Sequence, residues 1–216
     1  MIGKRLRERG AKPRFALAFA CLLAGCAAAA PGVIAPPRAD DRAADLLVPS
    51  GHGSLLQDDI TLTVRGDGVL LKVTPLEEWV VRLTAPDTWS RLSSLAVAHR
   101  DEVVRRTGVE RPALFLVSFF GAAPGAAFRP EDVEIVNRGR RLRALLVRPI
   151  TSGWGEGRVA QGGTQLAVYA FPAEVDLEQA LAVEYGDASG SAWEEILQRL
   201  EMERSRARAR AGLGGR

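Results

Sequence analysis

Side chains able to make or break bonds are scarce in this chain: two cysteines and two histidines among 216 residues. Cys21 lies within an apolar run that starts at Phe15, and Cys26 ends that run. His52, between Gly51 and Gly53, reads as a loop residue. His99 falls on or beside the apolar stripe of a helix, with no Cys, Asp or second His at ligand spacing on that face, so it reads as a packed histidine rather than a base or a metal ligand. Glu77 and Glu78 are neighbouring carboxylates that a fold could bring to one site, although surface acids are the simpler reading. Asp58, Asp59 and Asp67 lack the dense alternating spacing of a calcium loop. There is no Gly-x-Ser-x-Gly turn, no histidine pair and no phosphate loop. The expectation is a protein without a catalytic centre, cofactor or metal.

The run Phe15–Cys26 is too short to span a bilayer, follows Lys4, Arg5, Arg7, Arg9, Lys12 and Arg14, and ends in small residues, which is the pattern of an export signal. Its last four residues, Leu23-Ala24-Gly25-Cys26, resemble the lipobox of bacterial lipoproteins. That resemblance implies a signal peptide over 1–25, cleavage between Gly25 and Cys26, and a diacylglyceryl group on the Cys26 thiol. Each buried methylene contributes about 0.8 kcal/mol, so two or three acyl chains hold a protein durably on a membrane. Because Ala27 and not aspartate follows the cysteine, the resemblance points to the outer membrane, facing the periplasm. A plain secretory peptide cut near Ala28, Ala29 and Ala30 is the alternative.

The formal charge of +3 misrepresents the mature chain. Residues 1–25 hold six basic and one acidic of the chain's 29 and 26, leaving 23 against 25, or −2. From Arg199 onward there are six basic and two acidic residues, so residues 26–198 carry 17 against 23, or −6. A mildly acidic body argues against nucleic acid as a partner. Once the signal is removed Cys26 is the one cysteine left, and the anchor consumes it, so core burial must stabilise the domain.

Residues 26–54, interrupted by Pro31, Pro36, Pro37 and Pro49, read as a flexible tether in which Leu46, Leu47 and Val48 form a brief apolar patch. Alternation over Ile60–Arg65 and Val69–Val73 around Gly66-Asp67-Gly68 predicts a hairpin, and Trp79, Val81 and Leu83 suggest a third strand. Trp89, Leu92, Ala96, His99 and Val103 predict a helix over 86–107, capped by Thr84 or Asp87. Ala113–Phe120 is apolar on both faces and predicts a central strand; the loop Gly121–Pro130 follows, with Phe128 as an anchor. A second hairpin pairs Val133 and Ile135 with one returning strand from Leu142 to Val147, with Arg138, Arg140, Arg141 and Arg143 near its tip. Trp154, among glycines, reads either as a recognition residue on a mobile loop or as a lid folded onto the sandwich. Further strands follow at Gln165–Phe171 and Leu181–Tyr185, with Tyr169 and Tyr185 placed to tie sheet ends by hydrogen bonds. Ser191 and Glu194 predict a capping box opening a helix over about 191–209 that docks through Trp193, Ile196, Leu197 and Leu200, while the arginine-rich residues 201–216 fray.

These elements predict a mainly β chain: an antiparallel immunoglobulin-like β-sandwich over 55–200 with one inserted helix and a C-terminal helix. The functional expectation is a lipid-anchored envelope protein that binds or assembles with a protein partner, using Trp154, Arg138, Arg140 and Arg141 as a surface. The alternative is carriage of a small apolar or lipid ligand between sandwich and helix.

Overall fold

The computed structural model describes residues 51–213 together with Val48. Cys26, the signal run and most of the expected tether lie outside the described residues. Eleven strands and three α-helices are described: β1 Leu62–Arg65, β2 Val69–Pro75, α1 Glu78–Val81, α2 Pro86–Thr107, β3 Ala113–Gly121, β4 Ala126–Ala127, β5 Val133–Asn137, β6 Arg140–Arg143, β7 Leu146–Pro149, β8 Arg158–Val159, β9 Thr164–Phe171, β10 Leu181–Tyr185, β11 Ala188–Gly190 and α3 Trp193–Leu213. One sheet has the order β1-β2-β3-β9-β7, a second β11-β10-β5-β6, and β4 and β8 form a two-stranded ribbon. All strand pairs are antiparallel. The protein is therefore mainly β, with an architecture consistent with a sandwich.

The doubly apolar strand β3 occupies the middle of the five-stranded sheet, as its composition demands. Its Phe115, Val117 and Phe119 join Val73, Tyr169 and Phe171 in the core shared with Ile135, Leu181 and Val183 of the second sheet. On its other face, Leu114 and Leu116 are also buried, and α2 supplies Leu92, Ala96 and Val103, each at most 6 % exposed. Full burial of a side chain such as Leu92 or Val103 is worth about 1.5–3 kcal/mol. The helix ends at Gly108, whose φ of 71° provides the left-handed cap.

Several local expectations are corrected. Trp79–Leu83 is not a strand: Glu77 O accepts from Val80 N and Val81 N, both at 3.0 Å, and Glu78 O from Arg82 N at 3.0 Å, which closes a helical turn. Neither Thr84 nor Asp87 caps α2; Ala85 holds the cap position without a side-chain bond, and the Thr84 hydroxyl donates to Val81 O at 2.6 Å. The returning strand after Gly139 is two strands, since the chain leaves the second sheet after Arg143 and joins the first as β7 at Leu146. The capping box is not formed, and the first acceptor of α3 is Ala192 O, receiving Ile196 N at 3.2 Å. β4, β8 and β11 are short strands that the sequence pattern leaves as loop.

The largest correction concerns the C-terminus, where α3 continues to Leu213 instead of fraying beyond residue 201. Its second half closes on residues 52–54, which are packed and not tether. Glu203, 1 % exposed, accepts at Oε1 from Ser54 N at 2.9 Å, Ser54 Oγ at 3.1 Å and Arg210 Nη2 at 2.7 Å. Arg210 Nη2 also donates to His52 O at 3.0 Å, and the Arg204 guanidinium lies 4.9 Å from the Trp79 ring centre. Between His52 and Ser54 only glycine fits, because a Cβ on Gly53 would lie 1.8 Å from Leu83 O.

Candidate functional site

The arginine hairpin is a rigid feature. Its two-residue turn places Arg138 at φ 51° and Gly139 at φ 72°, both in the left-handed region that tight hairpins require. The preceding Asn137 is 2 % exposed and fastens the tip from beneath: its Nδ2 donates to Asp176 O at 3.0 Å and Ala180 O at 2.9 Å, while its Oδ1 accepts from Asp176 N at 2.8 Å. Arg138 forms an ion pair with the Asp176 carboxylate. The sequence marks Asn137 as a turn residue, and nothing local announces that its side chain crosslinks two loops.

The neighbouring arginines face acids on the same side of the second sheet. Antiparallel register aligns Glu184, Glu134 and Arg143 in one row. Arg143 Nε donates to Glu134 Oε1 at 2.6 Å, and Arg141 reaches Glu184 Oε2 at 2.9 Å and Glu134 Oε2 at 3.8 Å. The hydrogen bond and charge of Glu134 raise the Arg143 guanidinium above its already high ordinary value. Two arginines over two glutamates leave this row formally neutral. Arg140 is exposed and has no side-chain partner among the described residues, so it is the hairpin's open cation.

Trp154 is not a surface residue. It is 7 % exposed within the short helical turn Ser152–Glu156 and packs edge-on against Phe119, Phe128 and Tyr169, with ring centres 5.7, 5.0 and 6.2 Å away. Gly157 ends the turn at φ 62°, in the left-handed region, while a Cβ on Gly155 would meet nothing within 4 Å. The lid alternative for Trp154 therefore replaces the recognition one. Phe128, the expected anchor, stacks on Phe119 with ring centres 4.5 Å apart.

Glu78, Asp58 and Asp59 each hold a contact within the fold. Glu78 accepts from Trp89 Nε1 at 3.1 Å and Ser93 Oγ at 3.0 Å, tying α1 to α2 instead of pairing with Glu77. Asp58 pairs with Lys72 at 2.8 Å, and Asp59 accepts from Leu56 N at 2.8 Å. His52 lies edge-on to Trp89, 4.8 Å between ring centres, and His99 is half-buried on α2. Among the described residues no group of three His, Cys, Asp or Glu side chains could hold a metal ion. Tyr169 OH donates to Pro130 O at 3.1 Å and Tyr185 OH accepts from Arg129 N at 3.1 Å, tying the ends of both sheets. Burial pushes both phenols above their ordinary range, so they stay protonated. The space between α2 and the sheet is filled by Leu92, Ala96 and Val103, and no described helix is long and apolar enough to cross a membrane.

Comparison of the chain with protein-family models, with curated proteins and with solved structures finds no match.

Proposed function

We propose that this chain is a lipid-anchored envelope protein, held through acylated Cys26 on the outer membrane facing the periplasm, and that it acts as a non-enzymatic binding or assembly module for a protein partner. The observation that carries the reading is the run Phe15–Cys26, in which a basic leader, a short apolar core and small residues before one cysteine coincide. The fastened hairpin supports the binding half, because it presents Arg140 without an internal carboxylate on a tip that Asn137 holds still. The same reading takes an immunoglobulin-like scaffold as its frame, with two antiparallel sheets carrying loops at their ends. Growing the producing bacterium with labelled palmitate tests the anchor: the wild type takes up label and Cys26→Ser does not. A chain that stays unlabelled and is released from membranes by salt defeats the proposal. In vivo crosslinking tests the module, with Arg140→Glu reducing a crosslinked protein adduct and Arg141→Ala leaving it intact.

A further inference from the structure

Three turns meet at one end of the molecule and enclose a groove of about 730 Å³: the β1–β2 turn, the segment from β3 into β4, and the β10–β11 turn. They are braced against each other. Gly68 O accepts from Ala122 N at 2.9 Å and Ala123 N at 3.2 Å, Tyr185 OH accepts from Arg129 N at 3.1 Å, and a Cβ on Gly66 would lie 2.9 Å from the Tyr185 ring. The groove is thus shaped before anything binds, which lowers the ordering cost of binding.

Charge of both signs lines it. Arg65, Arg129, Asp67, Asp132 and Asp187 all face this space, and none makes a side-chain hydrogen bond or ion pair among the described residues. Arg141 and Arg143, on the second sheet, are by contrast matched to glutamates. The groove also lies where two sheet edges part. β1 and β11 are the outermost strands of their sheets and touch at Thr63 and Gly190, where a Cβ on Gly190 would stand 2.6 Å from Thr63 O. Arg65 and Ala188, further along these strands, border the groove.

The lining selects the class of ligand. Glycine, alanine and five charges make a poor wall for an acyl chain. The carboxylates do not form a metal-binding group. Tyr185, the one aromatic side chain at the groove, is committed to Phe119 at 5.5 Å and to Gly66, so no open ring face is offered to a sugar. An extended peptide suits this lining: its small-walled path admits a main chain, and its side chains can answer arginines and aspartates in turn. We infer that the groove binds an extended segment of a partner protein carrying acidic and basic side chains in alternation. This rests on the reading of the chain as a binding module and gives it a second surface, at the end of β5 and β10 away from the Arg140 hairpin.

The test uses the full chain in detergent and two fluorescent, end-blocked peptides: one repeating Lys-Thr-Glu-Thr, the other repeating Ser-Thr. Anisotropy should report binding of the charged peptide about tenfold tighter than the uncharged one. Ala127→Trp, which fills the groove from an exposed position, should abolish that difference while leaving the denaturation midpoint unchanged. Arg65→Glu with Arg129→Glu should weaken the charged peptide about fivefold or more. Equal binding of both peptides, binding indifferent to Ala127→Trp, or preferential capture of an amino-sugar oligomer would each overturn the inference. If the peptides fail while the envelope crosslink through Arg140 persists, the groove assignment falls and the module reading stands. If the wild type captures no envelope protein, the module reading falls with it.

Discussion

Arginine is concentrated in two places, and the ion pairs it makes there differ in one physical respect, their exposure to water. Along β6, Arg141 and Arg143 lie over Glu134 and Glu184 on the outer face of a sheet, with arginine side chains 69 % and 80 % exposed. On α3, Arg210 is 11 % exposed and meets Glu203, which is 1 % exposed and also accepts from both donors of Ser54. Water screens the first set, so each pair is a weak, adjustable contact. The second set is a latch whose loss strands charge and backbone away from water. Similar residues therefore give a surface in one place and a fastening in the other, and how far the arginine of each pair is exposed to solvent decides which.

Removing the acid from the latch should have the largest effect. Glu203→Ala removes the carboxylate that Arg210 and both Ser54 donors share, and should cost about 3–5 kcal/mol in urea denaturation. Hydrogen exchange should accelerate at residues 52–55 and 204–213 while β3 stays protected. A loss below about 1 kcal/mol would remove the distinction between latch and surface. Next in size is Asn137→Ala, which frees one half-buried donor and two acceptors at the hairpin tip and should cost about 1–3 kcal/mol, with exchange faster at 176–180. Arg141→Ala should change stability by about 0–1 kcal/mol and lose even that in high salt. A salt-resistant loss would show that the β6 row is more than surface charge.

Alkali gives a further check on the interior that both regions flank. Tyr169 and Tyr185 are the only tyrosines, so tyrosinate absorbance reports them alone. Their folded values lie above the ordinary value of 10.0 because burial disfavours the phenolate. Protonated, they contribute stability that is complete below the unfolded value and is lost as pH rises past it, since only the unfolded chain ionises freely there. The folded protein should resist ionisation above pH 10 until it unfolds, and then both phenols should titrate together.

The elements whose neighbours along the chain define them were legible. Alternation located β1, β2, β5, β9 and β10, an unbroken apolar run located β3, and spacings of three and four located α2 with the side chains it buries, Leu92, Ala96 and Val103. The failures have local causes and remote ones. Trp79–Leu83 satisfies alternation over too few residues to exclude a helical turn, and β11, three residues paired with β10 across a tight turn, is too short to show a period. β4 and β8 are two residues each, and their partners lie more than thirty positions away. At the hairpin the arginines were visible as a group, while Asn137, which fixes them, was hidden because it bonds to residues about forty positions away. The groove was least visible, since Arg65, Arg129 and Asp187 come from three separate segments.

By itself the sequence determined the β-rich pattern, the long inserted helix and the apolar run ending in Cys26, because each depends on side chains within a few positions of one another. Tertiary structure decided that Trp154 turns inward, that α3 stays ordered past residue 201, and which arginines keep a free charge. Those outcomes depend on burial and on partners remote along the chain, and a local pattern carries no information about either.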